Sequence, residues 1–280
     1  AQICARDGCG IDQIDLPRLQ AMIEAGGQRL DLSSYGVYLR NSLVDHETVI
    51  EDQHPFLSGD APALVQLTNN RFLVVWIRQP RMGGGEEIWA ADRFQRVWSA
   101  PRRLAEVDGK SFGHPVLHRS SAGKVSLCFH TGADQSRLRT WRMESSDDGI
   151  SWSHPVDWTD KPIPVSGDIA GNPSSGLAQC QLHEGSWVQA VTPAVADHAP
   201  ASLRLQLSLD QGQTWPHALE LDSSAGEYSP PAMVATPRGV ALVYAWNRTK
   251  IVFWHGSVEQ IMDHAAVARH TAALHSGIMS

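Results

Sequence analysis

The sequence has few charged residues, few cysteines and no long apolar run, and each shortage narrows what the protein does. Charged side chains make up 19% of its 280 residues and leave a net charge of −7, so there is no basic surface for nucleic acid. No run of about 18 apolar residues occurs, so no membrane span is expected. Of the 13 histidines only His114 and His118 are four positions apart, and they lie in a strand-like run rather than on a helix, so neither a metal nor a cofactor is predicted.

The four cysteines leave the redox compartment open. Cys4 and Cys9 flank a short loop and are spaced for a small disulfide, whereas Cys128 and Cys180 lie in apolar runs typical of buried free thiols. A bridge between Cys4 and Cys9 would require an oxidising compartment. The sequence begins at Ala1 rather than at methionine, which fits removal of a leader and fits an engineered start equally well. We expect a periplasmic or secreted protein.

Tryptophan is abundant where the other aromatic residues are scarce. The chain has 10 Trp, six Phe and four Tyr, and 42% of its residues are apolar, which is enough for a substantial core. Because tryptophan both packs in cores and stacks on sugar rings, this balance favours a β fold that handles glycans.

Two octapeptides share one pattern at the spacing of a structural repeat. Residues 145–152 and residues 208–215 both read S-x-D-x-G-x-x-W, and a degenerate copy ends at Trp98. The pattern fits a tight turn between antiparallel strands, in which the aspartate accepts bonds from turn amides, the glycine adopts positive φ and the tryptophan folds back over the hairpin. Asp147 and Asp210 are therefore assigned a role in folding only.

Four pairs of apolar runs precede or follow these turns, and each pair reads as the inner hairpin of a four-stranded blade. The predicted pairs are 63–67 with 72–77, 115–118 with 124–129, 177–182 with 186–191, and 233–235 with 240–246. The fourth unit continues through residues 250–255, and residues 38–50 supply a closing strand from the other end of the chain. The sequence thus predicts an all-β propeller of four recognisable blades, with five or six possible.

Short helices are predicted at both ends, over residues 13–25 and 258–274. The predicted division is an N-terminal helical extension over residues 1–35, the propeller over residues 36–262 and a C-terminal helical tail over residues 263–280.

Together these motifs resemble the sialidase superfamily. Residues 226–232 (G-E-Y-S-P-P-A), 244–248 (Y-A-W-N-R) and 171–176 (G-N-P-S-S-G) are more particularly similar to the bacterial "predicted neuraminidase" family of BNR, or Asp-box, repeat proteins. The resemblance spans roughly residues 58–256. It implies a propeller with a glycan site at the mouth of its central funnel, and a mechanism with a tyrosine nucleophile, a carboxylate acid/base and arginines that hold an acidic sugar.

The resemblance implies roles for particular residues of this chain. Tyr228 stands where the nucleophile would be, with Glu227 beside it, although adjacent residues of a strand point to opposite faces. Asp60 precedes an inner strand, as the acid/base would. The candidates for substrate binding are Arg40, Arg78, Glu87, His114, Asn172 and Arg248.

The sequence also departs from the sialidase pattern. Arg40 is followed by Asn41 and Ser42 rather than by an apolar residue and a proline, and Asn172 with Pro173 occupies the segment where a sialidase usually carries a glutamate. The leading prediction is an exo-acting, sialidase-like hydrolase of an acidic glycan. A non-catalytic glycan- or protein-binding propeller is the alternative. A polysaccharide lyase, with His114 or His130 and Tyr228 transferring the proton, is a further one.

Overall fold

The structure is a computed structural model that describes residues 46–50, 59–78, 85–106, 111–132, 138–163, 177–192, 202–223 and 226–262. The regular secondary structure of the described part is almost entirely β-strand. Its strands are β1 (His46–Ile50), β2 (Asp60–Gln66), β3 (Phe72–Arg78), β4 (Glu87–Phe94), β5 (Val97–Trp98), β6 (Arg102–Glu106), β7 (Ser111–Arg119), β8 (Val125–Gly132), β9 (Arg139–Ser145), β10 (Val156–Asp157), β11 (Leu177–Gln181), β12 (Trp187–Val191), β13 (Leu203–Ser208), β14 (His217–Asp222), β15 (Ala232–Thr236), β16 (Gly239–Trp246) and β17 (Lys250–Ser257).

These strands form four antiparallel sheets, and the four predicted hairpins are confirmed. Their strand orders are β2-β3-β4-β5 with β6 also paired to β4, β7-β8-β9-β10, β11-β12-β13-β14, and β1-β17-β16-β15. The second pairing of β4 was not predicted. We refer to these four sheets below, in this order, as the first, second, third and fourth sheet. In their predicted hairpins the strands β2, β7, β11 and β15 come first along the chain. We call the end of each sheet at which that strand begins its leading edge.

The fourth sheet is completed from the N-terminal side, as predicted. β1 pairs antiparallel with β17, with His46 opposite Trp254 and Thr48 opposite Val252. Glu47 of this strand reaches the first sheet, where it accepts hydrogen bonds from Nε and Nη2 of Arg93 and, at 3.1 Å, from Trp98 Nε1. The closing strand therefore connects two sheets by a buried ion pair.

Three apolar clusters hold neighbouring sheets together within the described residues. One joins the third and fourth sheets around Leu205 and Leu242, one joins the fourth and first around Phe253 and Phe72, and one joins the first and second around Val75. The sheets therefore follow each other in the order third, fourth, first, second. The leading edges of the fourth and first sheets are brought together by this order.

A bulge interrupts the first strand of three sheets near the leading edge, each time at a proline. Ala61 and Pro62 oppose Trp76, and His114 and Pro115 oppose Phe129, because the pairing shifts between Asp60 and Ala63 and between Gly113 and Val116. In the fourth sheet the Ser229 amide bonds to Ala245 and Ala232 pairs with Val243, so that Pro230 and Pro231 oppose Tyr244. Proline cannot donate to the ladder and is accommodated at such bulges.

The two matched octapeptides have the same geometry. In each, the first serine hydroxyl donates to the aspartate at 2.7 Å and accepts from the glycine amide at 2.8 Å. The aspartate also accepts the amide and hydroxyl of the residue four positions on, Ser151 or Thr214. Gly149 and Gly212 have φ of 86° and 85°. Both turns join the third strand of a sheet to the fourth, at the edge opposite the leading edge.

The degenerate copy at Trp98 keeps the end of this turn and shortens its beginning. The Ser99 amide and hydroxyl bond to the backbone of Asp92, just as those of Ser153 bond to the backbone of Glu144. In place of the aspartate turn, Gln95 and Arg96 adopt positive φ of 49° and 66° in a tight hairpin.

The predicted helices are described only in part. Residues 258–262 are helical, in agreement with the start of the predicted C-terminal helix. The N-terminal helix, the rest of the C-terminal one, Cys4 and Cys9 lie outside the described residues, and the division into extension, propeller and tail stays a prediction. Cys128 is a buried free thiol, as expected, and Cys180 is buried as well. Among the described residues, no helix is long and apolar enough to span a membrane.

Candidate active site

Residues from three distant segments meet where the leading edges of the first and fourth sheets adjoin. The Gly59 amide donates to the Arg248 carbonyl at 2.6 Å, which fixes the start of β2 to the turn between β16 and β17. Asn247 and Arg248 of this turn both have positive φ, 49° and 55°. Such a conformation costs a non-glycine residue about 1–2 kcal/mol and directs the Arg248 side chain along the leading edge.

The segment before β15 is fixed to the end of β16 by four hydrogen bonds. Glu227 donates its amide to Asn247 Oδ1 and accepts the Asn247 amide at its carbonyl, both at 2.8 Å. The Ser229 amide donates to Ala245 at 2.9 Å, and the Ser229 hydroxyl accepts the Ala245 amide at 2.8 Å. Tyr228, between them, forms a β-bridge with Trp246. The backbone of Tyr228 is thus held firmly in place.

Arg248 connects two carboxylates that the sequence analysis singled out separately. Its Nε lies 3.5 Å from Asp60 Oδ2 and its Nη2 lies 3.5 Å from Glu227 Oε1. The side chains of Arg248 and Glu227 are 58% and 68% exposed, whereas that of Asp60 is 34% exposed. Asp60 Oδ1 accepts the Ala61 amide at 2.8 Å, which orients the carboxylate at the bulge. Asp60, Glu227 and Arg248 therefore form one exposed polar group with a net negative charge.

Tyr228 points away from this exposed group, into the interface between the third and fourth sheets. It is half-buried, and its ring lies 5.8 Å from that of Tyr244 at an angle of 46°. Tyr244 is 1% exposed and donates its hydroxyl to Asp222 Oδ2 at 2.9 Å. Burial raises the pKa of Tyr244 well above its usual value, and the charge of Asp222, the hydrogen bond and Tyr228 act in the same direction.

Arg78 and Glu87 lie together at the leading edge of the first sheet, but they are engaged with other residues there. Arg78 Nη1 donates to Glu87 at 3.0 Å, Trp89 Nε1 at 2.7 Å and Arg103 Nη1 at 3.2 Å. Burial alone would raise the pKa of Glu87, but the hydrogen bonds from Trp89 and Arg103 and the charges of Arg78 and Arg103 lower it. Glu87 is thus an ionised, 7% exposed anchor for two arginines.

The remaining candidates are described only in part. Arg40 and Asn172 lie outside the described residues. The backbone of His114 belongs to β7, at the bulge beside Pro115. His130 ends up half-buried on β8, with its Nδ1 3.1 Å from Thr140 Oγ1.

Sequence reasoning missed Asn247, Tyr244 and Asp222. Two signals were available for Tyr244. Residues 240, 242 and 244 lie on one face of an apolar strand, and a buried phenol requires a hydrogen-bond partner. Asp222 gave no signal of its own, since it ends a short strand that also carries the exposed Glu220. Its pairing with Tyr244 arises only from the packing of two sheets.

Comparisons with known proteins show similarity in structure and none in sequence. No protein-family model matches the chain, and no curated protein matches it. The Hadza microbial sialidase Hz136 superimposes with a TM-score of 0.58 at 10% identity, over 76% of this chain and 68% of the sialidase. The chain has a sialidase-like fold.

Two further solved structures are less similar. The family 117 glycoside hydrolase Zg3597 of Zobellia galactanivorans matches with a TM-score of 0.39 at 10% identity, over 75% of this chain and 90% of that one. The intramolecular trans-sialidase of Ruminococcus gnavus matches with a TM-score of 0.29 at 14% identity, over 71% of this chain and 44% of that one. The chain thus spans less than half of that trans-sialidase.

Proposed function

We propose that this protein is an exo-acting glycoside hydrolase that cleaves a terminal acidic sugar, as a member of the Asp-box repeat group of sialidase-like propellers. One observation carries the proposal: Arg248 lies 3.5 Å from both Asp60 and Glu227, beside the firmly held Tyr228. The matched aspartate turns support the repeat group. A periplasmic or secreted location is part of the same proposal.

In this mechanism Tyr228 attacks the anomeric carbon and Asp60 protonates the departing oxygen. Sialidases are an exception among glycosidases in using a tyrosine as the nucleophile. Asp60 then removes a proton from the water that hydrolyses the glycosyl-tyrosine intermediate. Glu227 lies beside Asp60, where its negative charge stabilises the cationic character of the transition state.

Arg248 holds the carboxylate of the substrate. Its two present contacts are long, and its side chain is 58% exposed, so each contributes only about 0–1 kcal/mol. A substrate carboxylate offers the guanidinium a bidentate partner in their place. In the proposal, the approach to this site is lined by Arg78, Arg40, His114 and Asn172. Arg78 is held by Glu87 at the same edge of the neighbouring sheet.

The test is turnover of a panel of acidic and neutral glycans and aryl glycosides. We expect release of a terminal acidic sugar by the wild type, and loss of at least about 10²-fold in kcat for Tyr228→Phe and for Asp60→Asn on natural linkages. Glu144→Gln, at the opposite edge of the second sheet, is the control and should keep full activity. Unchanged turnover in Tyr228→Phe would rule out the nucleophile.

The same panel separates the alternatives. A binding module would retain glycans in an affinity measurement but release no sugar. A lyase would release an unsaturated product that absorbs in the ultraviolet. Either result would replace the hydrolase proposal.

A further inference from the structure

At the position that Tyr244 occupies, two other sheets carry an aromatic residue that has no phenol hydroxyl. It faces the bulge of its sheet, as Trp76 faces the bulge of the first sheet and Phe129 that of the second. All three are fully buried, with exposures of 1%, 0% and 1%. Packing at this position thus requires only a large ring. The hydroxyl of Tyr244 needs another explanation.

That hydroxyl is bonded to a buried carboxylate of another sheet. Asp222, the last residue of β14, is 6% exposed and accepts the Tyr244 hydroxyl at 2.9 Å. Removing a carboxylate from water is costly, and buried polar pairs can often be replaced by apolar residues without loss of stability. Packing and stability alone therefore do not account for the pair. Its position directly behind Tyr228 suggests a role in the site.

A phenol has one proton to donate, and Tyr244 gives its proton to Asp222. The Tyr244 oxygen can then only accept from its surroundings. Tyr228, whose ring is 5.8 Å away, carries a hydroxyl proton to donate. We propose that Tyr244 and Asp222 are positioning residues that orient the Tyr228 hydroxyl toward Tyr244, leave its lone pair facing the substrate, and accept its proton during attack. This inference rests on the proposed role of Tyr228 as nucleophile.

The proton transfers balance. The Tyr228 oxygen forms a bond to the anomeric carbon while the bond to the leaving oxygen breaks, and Asp60 gives that oxygen a proton. The Tyr228 proton moves to Tyr244 as the Tyr244 proton moves to Asp222, which leaves Tyr244 neutral and Asp222 protonated. When water hydrolyses the intermediate, Asp60 removes a proton from the water, Tyr244 returns a proton to Tyr228, and Asp222 returns a proton to Tyr244. No oxidant or further reactant is needed.

Tyr244→Phe tests this inference with little disturbance, because phenylalanine already occupies the matching position in the second sheet. We expect kcat to fall about 10²-fold on the best substrate of the panel, with KM within about twofold, since a positioned base contributes about 10²–10⁴-fold. Asp222→Asn keeps an acceptor and removes the charge, and should show the same loss. The double variant Tyr228→Phe/Tyr244→Phe should be no slower than Tyr228→Phe alone, because both changes remove one step.

Thr236→Val is the matched control. It removes another buried hydroxyl of the fourth sheet, which is 2% exposed and lies 3.3 Å from His255 Nε2, near the edge opposite the site. Its kcat should equal that of the wild type. If Tyr228→Phe inactivates the protein while Tyr244→Phe keeps the kcat of the wild type, the inference is overturned and the proposed function remains intact.

A second readout does not require a substrate. An aryl sulfonyl fluoride reacts with a tyrosine as its proton leaves, and mass spectrometry locates the labelled residue. We expect Tyr228 to be labelled several-fold more slowly in Tyr244→Phe and Asp222→Asn than in the wild type or Thr236→Val. Equal labelling in all four proteins would contradict the inference. Absence of any glycan turnover by the wild type would instead contradict the proposed function.

Discussion

Arg248 reaches Asp60 across the boundary between two sheets, with its Nε 3.5 Å from Asp60 Oδ2. The two residues come from a strand start and a hairpin turn that lie far apart in sequence. The 2.6 Å backbone bond from Gly59 to Arg248 holds the same two segments together. Their proximity therefore depends on the backbone as much as on the ion pair, and Arg248 can exchange Asp60 for a substrate carboxylate without opening the site.

Removal of the Arg248 charge should lower kcat/KM selectively for acidic substrates. We expect Arg248→Met to lower kcat/KM about 10- to 100-fold for acidic glycosides, because a hydrogen bond to a charged group contributes about 1.5–3 kcal/mol. Neutral glycosides should change little. The control is Arg204→Met, since Arg204 also lies 3.5 Å from a glutamate, Glu220, on an exposed face of the third sheet. An equal loss for both substrate classes would contradict the clamp.

Gly226 is required where Asn247 packs against the chain. A Cβ at Gly226 would come within 2.5 Å of Asn247 Oδ1 and 2.7 Å of Trp246 Nε1. Gly226→Ala should therefore displace Asn247 from the Glu227 amide and lower the free energy of unfolding by about 1–3 kcal/mol. Gly113→Ala is the control, because its Cβ would meet only His130 Cβ, at 3.9 Å. Urea denaturation of both variants measures the difference, and equal midpoints would contradict it.

The buried pair of Glu47 and Arg93 should contribute strongly to stability. The two side chains are 14% and 6% exposed, and the guanidinium lies 5.1 Å from the ring centre of Phe253. Glu47→Gln should lower the free energy of unfolding by about 3–5 kcal/mol, because it leaves a buried charge without its partner.

Two further variants check that interpretation. Glu47→Leu/Arg93→Met should be more stable than Glu47→Gln, since no isolated charge remains. Arg139→Met, which removes the exposed pair of Arg139 and Asp157, should cost only about 0–1 kcal/mol. If the double variant is no more stable than Glu47→Gln, strand β1 is held in place by packing and not by the ion pair.

The aspartates of the matched turns should make the protein sensitive to acid. Hydrogen bonds from the hydroxyl and amide of Ser151 and the hydroxyl of Ser145 lower the pKa of Asp147 from 3.8 to about 2. Those of Thr214 and Ser208 do the same for Asp210. Because the pKa is lower in the folded state, the stabilisation is fully present above pH 3.8 and is lost as the pH falls toward 2.

Urea midpoints measured across this pH range test the two turns. Asp147→Asn and Asp210→Asn should both lower the midpoint at neutral pH and flatten its fall in acid. A variant with the acid dependence of the wild type would show that its aspartate makes no such contribution.

Local patterns in the sequence predicted most of the strands. Polar turns such as Asn69 and Asn70, or Pro237 to Gly239, separate apolar runs of strand length, and these signals depend only on neighbouring residues. The second partner of β4 was not predicted, because β6 is short and rich in charge. The x-Pro pairs within β2 and β7 and just before β15 were an unused signal, since each one accompanies the bulge at a leading edge.

Site residues were predictable only where they lie within a short segment that resembles the family. Asp60, Glu227, Tyr228 and Arg248 were singled out from the family resemblance. The structure joins the side chains of Asp60, Glu227 and Arg248 and turns that of Tyr228 toward Tyr244. Nothing in the sequence showed that Arg78 and Glu87 would bind each other, or that Asp222 would lie behind Tyr228. Those pairings depend on strand register and on the contact of two sheets.

Covalent trapping tests the role of Tyr228 most directly. The protein would be incubated with an activated, fluorinated glycosyl fluoride of the acidic sugar that it releases, digested and examined by mass spectrometry. We expect one glycosyl group on the peptide that contains Tyr228, no such adduct in Tyr228→Phe, and loss of activity in step with labelling. Turnover of the sugar with an adduct on another residue, or undiminished turnover by Tyr228→Phe, would contradict the assignment.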